Sequence, residues 1–276
     1  MSAPDVNPAL GHEQYVHGYS PEHRAFLASR TAAREAAFLL PFIKPGMRLL
    51  DCGCGMGALT TSLAEWLAPG EVVGFDREDS QIAAAQAWAS ERGVTNVRFE
   101  LGNIYEMAHP DASFDAVFAY TVLEHLQEPL RAMREMRRVL KPGGVVGICD
   151  PDYASQLIAP ASPGVFELMT LMRSFSEAHA SPYYARHQRQ LLLEAGFART
   201  AGFVVGVGGG SPEGTPMMFR QIMKPTTDAI RAWVLEKRLT TEQHLDDIEA
   251  EAQAWSERPD AFFALILCAA VAWAPS

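Results

Sequence analysis

The sequence predicts an α/β fold built on a doubly wound, parallel sheet. Three observations carry that prediction. Between Met47 and Asp150, short apolar runs alternate with amphipathic stretches of helical length. The apolar runs are continuous rather than alternating, as in strands covered on both faces. A glycine-rich segment, LLDCGCGMG (Leu49 to Gly57), joins the first apolar run to the first helical stretch, where a backbone can come close to a ligand.

The elements follow in order. YSPEHRAFLASRTAAREAAFLLPF reads as one helix: Ser20 suits its N-cap, Pro21 its first turn, and Pro41 ends it. MRLLD is then a strand and ALTTSLAEWLA a helix that opens at the glycines. EVVGFD is a strand, DSQIAAAQAWASERG a helix and NVRFEL a strand. FDAVFAY, PLRAMREMRRVLK and GVVGICD continue as strand, helix and strand. After Asp150 the rhythm breaks. Residues 151–183 are long, proline-rich and partly aromatic. YARHQRQLLLEAGF is a returning helix stopped near Gly196, ARTAGFVVGVG a strand, and GGGSPEGTP a flexible loop before a helical stretch that ends near Trp255. AFFALILCAAVAWA is the last strand. The two insertions, about 151–183 and 207–260, are expected to stay out of the sheet. Both follow strands on the side where doubly wound folds bind ligands, so they suit a cap over a substrate. The division expected is a mobile N-terminal segment over residues 1–20 and one domain over 21–276.

Composition narrows the function. The chain has 276 residues, 48% hydrophobic, with a net charge of −10, so it carries a full core and is a poor match for nucleic acid. Its most basic stretch, RAMREMRRVLK, spaces Arg131, Arg134 and Arg138 as a solvated helix face. Cys52, Cys54, Cys149 and Cys268 match no zinc spacing and read as buried thiols in a reducing compartment. There is no basic-then-apolar signal region, and the longest apolar run is shorter than the ~20 residues that span a bilayer. The expectation is a cytoplasmic protein without nucleic-acid or membrane partners and without a bound metal.

The glycine loop alone does not choose its ligand. Gly53, Gly55 and Ala58 also satisfy the dinucleotide fingerprint. Asp51, just before the loop, suits a cation such as the α-ammonium of S-adenosylmethionine, which the pyrophosphate region of NAD lacks. Asp76, ending the second strand, can accept both hydroxyls of a ribose of either ligand. In LGNIYEM, Asn103 can bond the adenine amino group and the Ile104 N–H a ring nitrogen. FDAVFAYTVLEHL followed by RVLKPGG has no place in the dinucleotide fingerprint.

In order and spacing, LLDCGCGMG, VVGFD, LGNIYEM, FDAVFAYTVLEHL and RVLKPGGVV resemble the class I S-adenosylmethionine-dependent methyltransferases. The small-molecule branch related to ubiquinone and menaquinone biosynthesis is the nearest in character. The resemblance covers roughly residues 40–150, with LLLEAGF as a weaker later marker. It implies a Rossmann-like sheet of seven strands with the last antiparallel, and S-adenosylmethionine as cofactor, released as S-adenosylhomocysteine. It also implies a cofactor-binding set of Tyr15, Tyr19, Arg30, Asp51, Gly53, Cys54, Gly55, Asp76, Arg77, Gln81, Asn103, Ile104, Tyr120 and His125. Tyr15 and Tyr19 belong to YVHGY, matching an N-terminal aromatic segment that folds over the cofactor in similar enzymes; Arg30 can pair with the methionine carboxylate. The family usually carries Asp where this chain has Asn103.

Methyl transfer from a sulfonium is an in-line displacement, so the protein mainly aligns the partners and excludes water. A base is needed only where the nucleophile's pKa is high. His125, beside the expected sulfonium, and His179 and Tyr183, in the first insertion, are the candidates, with His187, Tyr184 and Asp152 behind them. A small-molecule acceptor is expected in an apolar pocket lined by Phe166, Met169, Met172 and Phe175 from the first insertion and Met217, Met218, Phe219 and Met223 from the second. The same residues would otherwise pack the cap or form a homodimer surface. The tetrapeptide AYTV lacks the N/D-P-P-Y pattern of adenine or glutamine methylation. Two other functions remain open: a relative that keeps the cofactor but catalyses a reaction such as a cyclisation, and an NAD-linked oxidoreductase, against which Asp51 and the motif series argue.

Overall fold

A computed structural model of the chain describes residues 20–180 and 182–276. Tyr15, Tyr19 and nearly all of the N-terminal segment lie outside the described residues.

The helix expected from Ser20 to Pro41 is broken. Ser20 does cap α1 (Pro21–Ala28), its side chain accepting from the His23 N–H at 3.1 Å. The Ser29 hydroxyl then donates to the Phe26 carbonyl at 2.8 Å, and Thr31 is extended. The Thr31 N–H donates to the Glu35 carboxylate at 2.7 Å and starts the short α2 (Ala32–Glu35). Side chains that bond the local backbone interrupt a helix in this way. The interruption leaves Arg30 at a bend instead of on a continuous helix face.

Strands β1 (Leu49–Cys52), β2 (Val72–Asp76), β3 (Val97–Leu101), β4 (Phe114–Tyr120) and the start of the sheet's second half, β5 (Leu140–Pro151), are parallel. The order is β3-β2-β1-β4-β5, after which β8 (Phe262–Trp273) runs antiparallel between β5 and β7 (Arg199–Gly209). The antiparallel last strand is therefore as expected. Among the described residues the strand count is eight, because β6 (Leu157–Ala159) pairs with Ala264, Phe263 and Phe262 of β8. Both insertions thus touch the sheet, contrary to expectation: the first contributes β6, and β7 runs on to Gly209. The physical reason is that β8 extends past the end of β5 and its backbone groups there need partners.

Adjacent residues of each central strand face opposite cores. Leu50, Val117 and Ile148 pack with Met133 and Met136 of α5 (Pro129–Val139) and Leu192 of α7 (Gln188–Glu194). Leu49, Phe118 and Cys149 pack with Leu63 and Leu67 of α3 (Ala58–Leu67) and with Ala32 and Ala36. Between β2 and β3 runs α4 (Asp79–Glu91). The insertions build a third core from α6 (Pro163–His179), α8 (Gly214–Met218), a π-turn over Phe219–Met223, α9 (Lys224–Glu236) and α10 (Glu242–Ser256).

That third core corrects the expected acceptor pocket. Met169, Met172, Phe175, Phe219 and Met223 are buried in it, Met218 packs against it, and Phe166 and Met217 are exposed at 45% and 49%. Residues spaced by three drift by ~60° per step around a helix, so the first and last of Phe166, Met169, Met172 and Phe175 end up on opposite sides. The run is an inter-helix seam with one end in solvent.

Candidate functional site

The strand order reverses between β1 and β4, and the carboxyl ends of the parallel strands open there into a cleft. The loop from β1 to α3 forms its floor. Gly53 has φ +74°, and a Cβ there would lie 2.6 Å from the Val122 side chain. Gly55 has φ +51°, and a Cβ there would meet nothing within 4 Å, so its bare backbone faces open space. These two positions require glycine for different reasons: one for close approach, the other to keep the cleft wide.

Two carboxylates flank the loop. Asp51 is buried at the end of β1 and accepts a 2.6 Å hydrogen bond from the Thr60 hydroxyl of α3. Burial pushes its pKa up to about 7; the Thr60 bond and Arg30 oppose the rise, and the charge of Asp76 adds to it. Asp76 accepts from the Gly55 N–H at 2.9 Å and the Glu78 N–H at 3.1 Å, so it shapes the loop as well as facing the cleft. Burial raises its pKa too, against those two bonds. Gln81, on α4, is 2% exposed and its Nε2 has no hydrogen-bond partner among the described residues. A buried amide without an acceptor is costly, and this one lines the cleft. The Asn103 Oδ1 accepts from the Tyr105 N–H at 2.9 Å, which uses one of its two lone pairs.

The opposite wall comes from the bend after α1 and the end of β4. The Arg30 Nη1 donates to the Thr121 hydroxyl at 3.1 Å, with its guanidinium carbon 5.3 Å from the Phe26 ring centre and 5.0 Å from that of Tyr120. Thr121 has φ +54°, a conformation that β-branched residues rarely adopt. His125 follows on the one-turn helix Leu123–His125. Burial, then Arg77, Arg30 and His23, push its pKa down to about 3, so the imidazole is neutral around pH 7. Burial also raises the Tyr120 hydroxyl, which stays protonated.

Arg30, Asp51, Gly53, Cys54, Gly55, Asp76, Arg77, Gln81, Asn103, Ile104, Tyr120 and His125 all line this one cleft. His179 and Tyr183 do not. The His179 ring stacks on Phe175 at 4.1 Å and its Nδ1 lies 2.7 Å from the Phe175 carbonyl oxygen, inside the helical seam. The Tyr183 hydroxyl donates to Glu177 at 2.6 Å. Asp152 pairs with Arg186, and the Tyr184 hydroxyl is tied to Asp150. Sequence reasoning missed Leu27, Met56, Thr121, Val122 and Leu126 of the lining. Each had a signal: Leu27 stands three residues before Arg30, Met56 is inside the glycine loop, and Thr121, Val122 and Leu126 are inside the FDAVFAYTVLEHL motif. Among the described residues no group of three His, Cys, Asp or Glu side chains is placed to hold a metal ion, and no helix is long and apolar enough to cross a membrane.

Asp51 makes stability depend on pH. In the folded protein it holds its proton up to about pH 7, whereas its ordinary value is 3.8. Between those values the folded state binds more protons than the unfolded one, so stability falls as pH rises. Asp76, Glu124 and Asp150, also raised, act in the same direction. The Asp51→Asn variant is expected to show a shallower fall in melting temperature from pH 5 to 7 than the wild type; equal slopes by calorimetry would remove Asp51 as a source.

A family model for the methyltransferase domain matches residues 43–194. A protein of Aspergillus luteorubrus named "Probable methyltransferase ltbC" is 32% identical over 94% of this chain and 96% of its own length. A sterol 24-C-methyltransferase of Gibberella zeae is 36% identical over 38% of this chain and 28% of its own. Among solved structures, the YcgJ protein of Bacillus subtilis superposes with a TM-score of 0.59 at 19% identity, over 88% of this chain and 98% of that one. The Haemonchus contortus phosphoethanolamine N-methyltransferase 2, in complex with S-adenosyl-L-methionine, superposes with a TM-score of 0.52 at 19% identity, over 88% of this chain and 52% of that one. At these identities the two structures speak for the fold.

Proposed function

The chain belongs to the class I S-adenosylmethionine-dependent methyltransferases, and from that premise we propose that it methylates a small, largely apolar organic acceptor by in-line displacement, with His125 as proton acceptor. One observation carries the reading: a single cleft gathers acids, a lone amide donor and a neutral imidazole in the order such a cofactor requires. Asp76 accepts from the ribose hydroxyls and Asp51 from the α-ammonium group. Arg30 pairs with the carboxylate, while the second lone pair of Asn103 and the Ile104 N–H bond the adenine. The unpartnered Gln81 Nε2 and the open face of Gly55 fit the same ligand, one by supplying a donor and the other by leaving room.

When bound, S-adenosylmethionine supplies a methyl group on a sulfonium leaving group. The chain's part is placement. Leu27, Tyr120, Val122 and Leu126 give the wall beside His125 apolar surface around the Arg30 guanidinium, which suits an acceptor with a large apolar part. His125 lines the cleft with a neutral imidazole and is the group placed to receive an acceptor's proton; burial makes it a weak base, so an acidic O–H suits it best. The helical insertions serve as a cap. They are tied to the cleft through α1: the His23 Nδ1 lies 3.1 Å from the Gln221 carbonyl oxygen of the π-turn, and the same helix carries Leu27. The four cysteines are unpaired, which supports a cytoplasmic setting.

Calorimetry is expected to give micromolar binding of S-adenosylhomocysteine and far weaker binding of NAD. With a library of small phenols, alcohols and amines, mass spectrometry is expected to find S-adenosylhomocysteine released in step with a methylated product. Tight NAD binding without a response to S-adenosylhomocysteine would overturn the reading; an altered but unmethylated product would replace methyl transfer by another reaction.

A further inference from the structure

Among the described residues three strands of the sheet, β3, β6 and β7, have a side that no other strand pairs with, and they are not alike. β3 has five residues and carries Arg98 and Glu100, which lie 3.1 Å from Glu71 and 2.8 Å from His109 respectively. β6 has three residues and runs into Pro160. Short length, charge and proline are the ordinary means by which a sheet edge is kept from pairing with another chain.

β7 has none of these protections. It runs for eleven residues, RTAGFVVGVGG. Its one charged side chain, Arg199, stands at the end, with the guanidinium carbon 3.7 Å from the Trp273 ring centre. At ~3.4 Å per residue the open side is about 37 Å long, and every second residue points its N–H and C=O away from β8. Val204, at 74%, is the most exposed large apolar side chain among the described residues, and Phe203 and Val207 are exposed on the opposite face of the strand. From Thr200 to Gly209 no side chain can answer a charged partner, so what covers this edge is itself extended, apolar and uncharged.

We propose that the protein forms a homodimer in which β7 pairs antiparallel with β7 of a second copy, joining the two sheets into one. Two identical antiparallel strands are related by a two-fold axis, so the edge is complementary to itself and needs no second surface. Full overlap of Arg199–Gly209 sets the axis at Val204, which then faces its counterpart with the Cβ atoms about 4.5–5.5 Å apart. Gly202 opposes Gly206 across the pair, and Phe203 opposes Val205. The net charge of −10 does not stand in the way, because residues 199–209 and 261–274 of the two outer strands hold Arg199 and no acid. An edge about 37 Å long and one sheet, ~10 Å, thick covers roughly 370 Å² per copy as a flat rectangle, and its corrugated accessible surface is larger. The total stands near the ~1,000 Å² floor of a specific interface, which suits a micromolar rather than a nanomolar dimer. The cleft lies between β1 and β4, and β4 is three strands in from β7, so both clefts stay open and the pairing does not depend on the reaction catalysed.

The test uses the full chain without added ligand. Sedimentation should show a monomer–dimer equilibrium with a Kd on the order of 1–100 µM. Val204→Lys should raise that Kd at least about 10-fold, because the axis sets two ammonium groups against each other. Its melting temperature, measured on the monomer, should match the wild type, since an exposed side chain carries little of the fold. Leu157 lies on the same face of the sheet as Val204 and Ile266, on the far side of β8, and is 63% exposed. Leu157→Lys should therefore leave an edge-paired dimer intact, whereas it would disrupt two sheets stacked face to face. Hydrogen exchange decides the question without any variant: the β7 amides that point away from β8 should exchange slowly only above the Kd. A wild type that stays monomeric to several hundred micromolar would overturn the proposal. So would a dimer that survives Val204→Lys or is lost in Leu157→Lys. Equally slow β7 exchange at every concentration would place a segment of the same chain on the edge and overturn it as well.

Discussion

Replacing Asp76 with alanine should weaken S-adenosylhomocysteine binding by roughly 10- to 100-fold, the loss of one or two charge-assisted hydrogen bonds. Two effects combine. The carboxylate that receives the ribose hydroxyls is removed, and the Gly55 and Glu78 N–H groups lose the acceptor that holds the loop in shape. Stability should change little by comparison. Asp76 carries a burial penalty that alanine lacks, which offsets part of the lost bonding. Calorimetric titration with parallel melting curves is the check. Unchanged affinity at unchanged melting temperature would show that Asp76 does not hold the ribose.

Phe175→Ala should have the largest effect on stability, about 3–5 kcal/mol. Its ring is 2% exposed, stacked on His179 at 4.1 Å and set edge-on to Trp233 at 5.2 Å, so the void has rigid walls. Phe166→Ala, on the same helix but 45% exposed, should stay within about 0.5 kcal/mol of the wild type. Denaturant unfolding of the two variants measures the contrast. If Phe175 instead lined an acceptor pocket, its truncation would raise the acceptor KM at little loss of stability, and the third core would need another account.

The legibility of the site follows the range of the interactions involved. Asp51, Gly53, Gly55 and Asp76 could be read because strand, turn and helix are consecutive in the chain, and each residue's place follows from its neighbours. His125 could be read from its place after a strand. Glu124 could not: a charged residue in a short turn looks solvated, and its burial comes from β5 and Tyr153, far along the chain. The helix after Ser20 was over-extended because periodicity does not register a threonine N–H bonded to a glutamate four residues on. The methionine and phenylalanine run of α6 was recognised as apolar but given the wrong partner. Composition says that a face is buried, and only the packing of α9 and α10 says against what.

The position of β8 carries a consequence for how the protein is made. This strand lies between β5 and β7 and also pairs with β6. A ribosome delivers it after all three. Until Phe262–Trp273 emerges, β5 and β7 both present unpaired edges, and the apolar Val145–Cys149 segment waits without a neighbour on that side. The first half of the sheet can assemble on the nascent chain, whereas the second half closes only with one late insertion. In cells, this interval is when the chain most needs a chaperone, and a stop codon placed before Phe262 should yield aggregated rather than merely inactive protein.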